Sequence, residues 1–522
     1  MSHNLPPKSP FGARNPSLYQ LNTRVWLTEI RQNGAPKATL DELDLSTLPH
    51  RFDWYWFLSV WQTGETGQSI SRQHPGWLQE FRRTLPDLAE RDIAGSGFAV
   101  TAYSCHKDLG GNAALARLKD RVHALGARLM LDFVPNHMAL DHPWVNEHPD
   151  YFIQGTADDI AAAPQNYTTL TLDNGEQKIF AHGRDPYFDG WCDTLQLDYA
   201  NPALQDAMIA ILLDLADRCD GLRCDMAMLV LPEIFERTWG RASEPFWPRA
   251  IAAVKSRRPD FCFMAEVYWD LEWELQQQGF DYTYDKRLYD RLRERQVHAA
   301  REHLYAGIDY QKHMVRFLEN HDEARASVIF PHEMQKAAAV ISYLAPGMRF
   351  FHQGQFEGKR IKISPHLVRG PEESVDQNIR AFYAGLLEAL DGEVVRNGDW
   401  RLLAGNSAWQ GNFTNEDFIA YAWSAPGSDI IERLVVVNYA PHHSQCYIPI
   451  PLGNYQQNVV VLKDQLSDRI YERNAWQMRD PGLYVELGPW QAQIFKLESA
   501  LQSQAQKQTV GGSNGHGRSG KK

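Results

Sequence analysis

The sequence predicts an α/β protein built on a (β/α)8 barrel, with a small inserted domain after the third strand and a C-terminal antiparallel β-sandwich. Between about residues 17 and 390, short apolar runs alternate with polar loops and stretches of helical spacing, as expected for βα repeats. One connection in this series is much longer than the others. After about residue 394 the helical spacing gives way to short alternating strands.

The barrel prediction depends on eight strand-like runs with helical segments between them. β-Branched and aromatic residues are frequent in the runs, and turn-forming residues bound them. The predicted strands are 18–27, 54–60, 128–134, 221–224, 261–265, 280–284, 314–318 and 348–351. The clearest predicted helices are 112–125, 202–218 and 332–344.

Two long connections interrupt the alternation. Residues 137–197 contain polar stretches with Pro and Gly, and we expect them to form the inserted domain and one wall of an active site. Residues 62–97 form a second insertion, rich in Gly, Arg and Pro, whose pattern indicates no role. The barrel itself is predicted to comprise residues 17–136 and 198–393, after an N-terminal arm at 1–16.

The last part of the chain is predicted to contain an antiparallel β-sandwich at 394–498. Its predicted strands are 418–423, 434–437, 445–448, 459–462 and 493–497. Residues 499–522 are polar and rich in Gly and Ser. A segment of this composition lacks the apolar surface needed to fold, so we expect a disordered tail.

The composition excludes several classes of partner. The chain has 522 residues and a formal net charge of -12, so it lacks the excess of Lys and Arg that neutralises nucleic acid phosphates. The sequence shows no apolar run of about 18 residues, and its start lacks a signal-peptide pattern. We therefore expect a cytoplasmic protein with no nucleic acid or membrane partner. The six cysteines have no close CxxC spacing, so they predict neither a zinc site nor a disulfide framework.

Ionisable residues follow four of the predicted strands, in the segments LMLDFVPNH, GLRCDMA, FMAEVYW and FLENHDEAR. In a (β/α)8 barrel the C-terminal ends of the strands face the catalytic mouth, so we expect these side chains to converge there. The candidates are Asp132, Asn136, His137, Arg223, Asp225, Glu266, His321 and Asp322.

Asp225 and Glu266 follow consecutive predicted strands. Cleavage of a glycosidic bond with retention requires an ionised nucleophile and a protonated acid about 5–5.5 Å apart. Arg223 lies on the same strand face as Asp225 and favours its charged form, whereas apolar and aromatic neighbours raise the pKa of Glu266. This pattern predicts Asp225 as nucleophile and Glu266 as acid/base. Taken alone, Asp225 is more typical of a helix cap, and His137 and His321 are more typical of structural core residues.

Together, the four segments resemble the signature regions of the α-amylase family, glycoside hydrolase family 13, over roughly residues 17–498. The resemblance implies a (β/α)8 barrel, an α-linked glucan or oligosaccharide substrate, Asp322 as a third catalytic acid, and Arg223 as the residue that orients Asp225. It also implies that His137 and His321 hydrogen-bond the sugar whose bond is cut, and that Asp132 holds Arg223 and neighbouring residues.

The chain departs from the family pattern in two places. In GSGFAVTAY the position of a tyrosine that stacks on the sugar is occupied by Phe98, which keeps the ring and removes the hydroxyl. Calcium-dependent members carry an Asn, an Asp and a His as ligands. Here Asn136 is present, but the other two positions are Gln196 and Leu229. Because calcium favours six to eight oxygen ligands, we expect no metal at this site and no required cofactor.

Three functions remain open from the sequence. The first is hydrolysis of α-linked glucans or oligosaccharides by a retaining mechanism, and the second is transfer to a sugar hydroxyl by a glucanotransferase, isomerising or sucrose-type enzyme. A remote third is a non-catalytic carbohydrate-binding protein. Tyr268 and Trp269 are candidates for stacking on a sugar beyond the cut bond, and Arg325 for holding a carboxylate or a sugar hydroxyl at the rim.

Overall fold

The computed structural model describes residues 12–49, 52–452, 458–467 and 469–499. Its centre is a closed barrel of eight parallel strands. In chain order, the barrel strands are Ser17–Asn22, Trp54–Leu58, Arg128–Phe133, Gly221–Cys224, Cys262–Ala265, Tyr282–Tyr284, Met314–Arg316 and Met348–His352. The predicted barrel is therefore confirmed. The predicted tail and most of the N-terminal arm lie outside the described residues.

Helices pack around the barrel because their apolar faces cover the strands. The main ones are Thr23–Gln32, Gly111–Ala124, Pro202–Arg218, Pro232–Trp239, Phe246–Arg257, Glu272–Gln277, Lys286–Arg293, Val297–Leu304, Ile308–Gln311, Ala326–Ile329, Glu333–Tyr343, Gln377–Leu390 and Glu393–Asn397. No helix in the described part of the chain combines the length and apolarity needed to cross a bilayer.

The predicted first strand is wrong beyond residue 22. Asn22 ends the strand, and its side-chain oxygen accepts a hydrogen bond from the backbone N–H of Val25, which caps the helix Thr23–Gln32. An asparagine at this position satisfies a helix N–H that would otherwise lack a partner. The chain therefore turns into a helix where the apolar pattern alone suggested a longer strand.

The insertion after the second barrel strand is a helical hairpin closed by two short strands. Its elements are Trp61–Thr63, Glu65–Gln73, Pro75–Thr84 and Val100–Cys105. Phe81 of the second helix and Leu85, which caps its C-terminus, pack in a small apolar cluster with Ile93 and Leu367. Leu367 follows the last barrel strand. The hairpin therefore joins the loops after barrel strands two and eight.

A small inserted domain follows the third barrel strand. It has two antiparallel strand pairs and two short helices. Its elements are His137–Ala139, Trp144–Glu147, Ala157–Ala162, Tyr167–Thr171, Gln177–Ala181 and Thr194–Gln196. The pairing of His137–Ala139 with Thr194–Gln196 brings the two ends of this excursion together at the barrel mouth.

The C-terminal region forms two antiparallel sheets, which confirms the predicted β-sandwich. The six-stranded sheet contains Asp399–Leu403, Phe418–Ser424, Ile431–Asn438, Val459–Asp464, Ile470–Asn474 and Ala492–Ser499, and the three-stranded sheet contains Asn406–Ser407, Ser444–Ile448 and Leu483–Leu487. Along Phe418–Ser424, Ile419, Tyr421 and Trp423 join the apolar core of the barrel, whereas Phe418 and Ala420 face the sandwich interior.

Candidate active site

One arginine joins the three candidate acids at the mouth of the barrel. Arg223 is fully buried near the end of the fourth strand. Its Nη1 lies 2.6 Å from Asp225 Oδ1, and its Nη2 lies 2.7 Å from Glu266 Oε2 and 3.8 Å from Asp322 Oδ2. The structure therefore brings together the acids that follow the fourth, fifth and seventh strands, as the strand-end argument predicts.

The three acids differ in exposure and in the direction of their pKa shifts. The side chains of Asp225 and Glu266 are 10% and 3% exposed, whereas that of Asp322 is 43% exposed. Burial raises the pKa of Glu266 to about 7, with Arg223 acting against this shift and the charges of Asp225 and Asp322 adding to it. Burial also raises the pKa of Asp225. These directions follow from the cost of placing a charge away from water.

Asp322 has the opposite shift. Local burial acts to raise its pKa, but His321 and Arg223 outweigh burial and hold that pKa well below its usual range. The Nε2 atom of His321 lies 3.0 Å from Asp322 Oδ2, and its Nδ1 lies 2.9 Å from the amide nitrogen of Gln20. Because an amide N–H can only donate, Nδ1 accepts, which leaves Nε2 to carry a proton that faces Asp322. Asp322 is therefore ionised at neutral pH.

Sequence reasoning missed Gln20, although a signal was present. Gln20 is fully buried in the first barrel strand, whose sequence is SLYQLN. A buried polar residue in an otherwise apolar strand normally has a hydrogen-bonding partner. Here that partner is His321. The sequence could not identify it, because Gln20 lies on the first strand and His321 lies in the loop after the seventh.

Aromatic rings surround the guanidinium of Arg223. Its Cζ lies 5.4 Å from the ring centroids of both Phe98 and Trp56, and 5.8 Å from that of Tyr284. Phe98 also stacks on His321, with ring centroids 5.4 Å apart and an interplanar angle of 24°. The ring faces favour the cation and keep water from it. The structure thus places the predicted residue Phe98 at the site, together with Trp56 and Tyr284, which sequence reasoning missed.

Asp132 lies close to Arg223, but its hydrogen bonds go to other neighbours. The two residues are neighbours on adjacent strands, but Asp132 accepts hydrogen bonds from the indole N–H of Trp56 at 3.1 Å and from the backbone N–H of Ser59 at 2.9 Å. Arg223 instead directs its two terminal nitrogens to Asp225 and Glu266. Asp132 therefore fixes the end of the second strand and acts on Arg223 only through its charge.

His137 lies where the chain enters the inserted domain, and it is buried. Its ring lies 5.1 Å from that of Trp191 and its Nδ1 lies 3.4 Å from the amide nitrogen of Asn136. Burial lowers its pKa to about 3, so the ring is neutral at ordinary pH. Within the described residues, no hydrogen bond or ion pair joins His137 to the three acids. Its predicted contact with the sugar stays a prediction.

The position of the family's calcium ligands is filled by neutral groups. Gln196 is fully buried, and its amide nitrogen donates to Asn136 Oδ1 at 3.0 Å and to the carbonyl of Leu197 at 3.1 Å. Leu229 is buried and offers no oxygen ligand from its side chain. The described residues also contain no cluster of three or more His, Cys, Asp or Glu side chains that could hold a metal ion. These residues do not fit calcium, which favours several carboxylates.

The loop after the seventh strand is held by a buried ion pair. Arg325 Nη1 lies 2.9 Å from Glu319 Oε1, and Arg325 Nη2 donates to the carbonyl of Gln353 at 3.0 Å. The backbone N–H of Ala326 donates to Glu319 Oε2 at 2.7 Å. Of the two roles considered for Arg325, the structure shows the contact with a carboxylate. The pair closes the loop that carries Asp322.

The fold and the site together define a class of barrel enzymes that act on glycosidic bonds. The α-amylase catalytic-domain family model matches residues 94–364, which contain all three acids. The chain belongs to the α-amylase family, whose members include glycoside hydrolases and glycosyl-transferring enzymes.

Curated relatives of the chain differ in their activities. It is 24% identical over 290 residues to α-amylase MalA of Haloarcula japonica, a match that covers 53% of this chain and 38% of that protein. It is 26% identical over 214 residues to trehalose synthase/amylase TreS of Mycolicibacterium smegmatis, covering 37% of this chain and 34% of that one. The chain thus matches less than half of each of these relatives.

Solved structures agree with the fold over nearly the whole chain. The maltogenic α-amylase AmyB of Thermotoga neapolitana has a TM-score of 0.63 at 18% identity, covering 92% of this chain and 98% of that one. The α-amylase of Geobacillus thermoleovorans has the same TM-score of 0.63 at 17% identity, covering 95% of this chain and 100% of that one. At these identities the likeness establishes the fold alone.

Proposed function

We propose that this protein is a retaining glycosidase that acts on α-linked glucans or oligosaccharides through a covalent glycosyl-enzyme intermediate. The observation that carries the proposal is the position of Arg223 between Asp225 and Glu266. Two neighbouring carboxyls that share one buried cation can provide the nucleophile and the acid of such a mechanism.

In the first step, Asp225 attacks the anomeric carbon and Glu266 protonates the leaving oxygen. Asp225 Oδ1 is held by Arg223, so Oδ2 is the oxygen free to form the new C–O bond. The proton of Glu266 moves to the glycosidic oxygen as its bond to the anomeric carbon breaks. A pKa of about 7 keeps much of Glu266 protonated near neutral pH, as a general acid requires.

In the second step, Glu266 acts as a base. Glu266 is now a carboxylate, because it has given up its proton. It takes a proton from water while the water oxygen attacks the anomeric carbon. The bond to Asp225 Oδ2 breaks, and Glu266 is again neutral. The ionised Asp322, with the N–H of His321 beside it, is placed to hold sugar hydroxyls, and Phe98 offers its ring to the apolar face of the sugar.

The test combines two variants with identification of the product anomer. Asp225→Asn and Glu266→Gln should each lower kcat on maltoheptaose by at least about a thousandfold, because each removes one half of the mechanism. The wild type should first release the α-anomer, as seen by proton NMR. Release of the β-anomer, or full activity of Asp225→Asn, would refute the proposal.

A second candidate, glycosyl transfer, is favoured by an aromatic pair beyond the acids. Tyr187 of the inserted domain meets Trp269, three residues after Glu266, with ring centroids 5.0 Å apart in an edge-to-face arrangement. Tyr187 is 59% exposed, so the pair offers an accessible stacking surface for an acceptor sugar. Incubation with maltoheptaose distinguishes the candidates: longer products indicate transfer, and shorter products alone indicate hydrolysis.

A further inference from the structure

Glu266 receives hydrogen bonds on both of its carboxyl oxygens. Its Oε2 lies 2.7 Å from Arg223 Nη2 and accepts the backbone N–H of Met226 at 2.8 Å. Its Oε1 accepts the phenolic O–H of Tyr268 at 2.9 Å. The two oxygens therefore differ in their partners: Oε2 faces a buried cation and a backbone N–H donor, and Oε1 faces a single hydroxyl.

This difference decides which oxygen carries the proton. A guanidinium N–H and a backbone N–H can donate but cannot accept. A proton on Oε2 would lie against the buried charge of Arg223 and compete with the backbone N–H of Met226. A hydroxyl, in contrast, can donate to a lone pair of Oε1 or accept a proton from it. The neutral form of Glu266 is therefore protonated on Oε1, next to Tyr268.

The backbone after Glu266 holds Tyr268 in this place. Trp269 and Asp270 have φ values of 63° and 64°, in the left-handed region that residues other than glycine rarely adopt. Asp270 forms an ion pair with Arg287, which anchors the turn. Burial and the charge of Glu266 raise the pKa of Tyr268 well above its usual value, so its hydroxyl keeps its proton and remains a donor.

We propose that Tyr268 is a positioning residue for proton transfer: its hydroxyl fixes Oε1 as the oxygen of Glu266 that delivers and later recovers the proton. The inference rests on the acid/base role proposed for Glu266. In bond cleavage, the Oε1–H proton passes to the leaving oxygen while the hydrogen bond from Tyr268 strengthens onto the forming carboxylate. This role differs from stacking on a sugar, because it depends on the hydroxyl and not on the ring.

The first test is Tyr268→Phe, which keeps the ring and removes the hydroxyl. A hydrogen bond stabilises a carboxylate more than a neutral carboxyl, so loss of the hydroxyl should raise the pKa of Glu266. The basic limb of the pH profile of kcat/KM should therefore move to higher pH by about half a unit. Activity on maltoheptaose, whose leaving alkoxide needs a proton, should fall about tenfold. Activity on α-maltosyl fluoride, whose leaving group needs little protonation, should change by less than about threefold.

A second substitution should move the limb in the opposite direction. 3-Fluorotyrosine at position 268 keeps the shape of the side chain and makes its hydroxyl more acidic, so it donates a stronger hydrogen bond. The basic limb should then move to lower pH. Because this variant is nearly isosteric, it tests the proposal even where Tyr268→Phe lowers stability.

Tyr484→Phe is the matched control. Its hydroxyl also donates to a glutamate two residues away, with Tyr484 Oη 3.2 Å from Glu486 Oε2, but on an exposed strand of the sandwich. This variant should leave both the pH profile and the ratio of the two activities unchanged.

Two results would overturn the role of Tyr268. One is an unmoved basic limb in both Tyr268 variants, and the other is an equal loss on maltoheptaose and α-maltosyl fluoride, which indicates a structural or stacking role of the ring. Failure of the proposed function would be recognised by a different result. Glu266→Gln would then retain activity, independently of the results for the Tyr268 variants.

Discussion

The pKa values of the two buried carboxyls follow from opposing influences at one point in the barrel. Burial raises the pKa of both Asp225 and Glu266, and Arg223 lowers both. Asp322 adds a further increase to each through its negative charge. The three acids and Arg223 therefore act as one electrostatic unit, and a change in any of them alters the protonation of the others.

The first prediction concerns the pH profile. Activity requires ionised Asp225 and protonated Glu266, so it should fall as pH drops through the raised pKa of Asp225 and again as pH rises through about 7. Asp322→Asn removes a negative charge that raises the pKa values of Asp225 and Glu266. The acidic and basic limbs of the pH profile should therefore both move to lower pH. The measurement is kcat/KM against pH on maltoheptaose, whose leaving group requires the proton of Glu266. Limbs that stay in place in Asp322→Asn would contradict the electrostatic coupling.

The second prediction concerns Phe98. Phe98→Tyr keeps the ring that contacts Arg223 and His321, so activity on maltoheptaose should stay within about threefold of wild type. Phe98→Ala removes the ring, exposes the cation to water and should lower kcat/KM by at least about a hundredfold. Thermal unfolding of both variants separates loss of activity from loss of stability. Equal activity of Phe98→Ala and wild type would refute a role at the site.

At the level of secondary structure, the sequence predicted helices and strands best where the local pattern of apolar residues determines the element. The eight barrel strands were found because buried parallel strands read as apolar runs. The end of the first strand was missed because the capping side chain of Asn22, and not apolar periodicity, starts the next helix there. The hairpin at 62–97 was unreadable because its packing partner, Leu367, is distant in the sequence.

The same reasoning explains which contacts at the site were predictable. Strand ends converge in every barrel, so the meeting of Asp225, Glu266 and Asp322 follows from their positions in the pattern. Which donor each carboxyl accepts depends on side-chain directions that a single sequence does not encode. For this reason, the partners of Asp132 and the contact of Gln20 with His321 became visible only in the structure.

The third prediction tests the buried ion pair that closes the loop after the seventh strand. Arg325→Met leaves Glu319 buried without its partner and should lower the free energy of unfolding by about 3–5 kcal/mol. It should also lower kcat, because the loop carries Asp322. The control is the double variant Glu319→Gln with Arg325→Met, which removes the unpaired charge and should recover part of the stability in urea unfolding. No recovery would contradict the charge-burial explanation.

The fourth prediction concerns the junction between the barrel and the inserted domain, where we propose that a hydrogen bond replaces calcium. Gln196→Asp removes the N–H that Asn136 Oδ1 accepts and buries a carboxylate, so stability should fall by at least about 1–3 kcal/mol. In the wild type, EDTA should change neither Tm nor activity. The control is Gln196→Glu, which keeps the side-chain length. A fall in wild-type Tm with EDTA that calcium reverses would refute the proposal.

At the scale of the whole molecule, the sandwich and the barrel share one apolar core. Tyr421 and Trp423 of the six-stranded sheet belong to the same buried cluster as the barrel strands. Tyr421 Oη lies 2.7 Å from the carbonyl of Val340, and the indole N–H of Trp423 donates to the carbonyl of Leu344 at 2.9 Å. Both carbonyls belong to the helix Glu333–Tyr343 or to its C-terminal cap. The sheet therefore completes the burial of this helix.

The fifth prediction follows from this shared core. The protein should unfold in a single calorimetric transition, because unfolding of either the barrel or the sandwich exposes the apolar surface of the other. Tyr421→Phe removes the hydroxyl that donates to the carbonyls of Val340 and Ile341. It should lower Tm while keeping one transition, with a loss of about 1–3 kcal/mol. Deleting residues 394–498 should leave a barrel that aggregates, because its helix Glu333–Tyr343 then exposes apolar surface. Two separate transitions in the intact chain, or a soluble and active barrel without the sandwich, would show that the two parts fold independently.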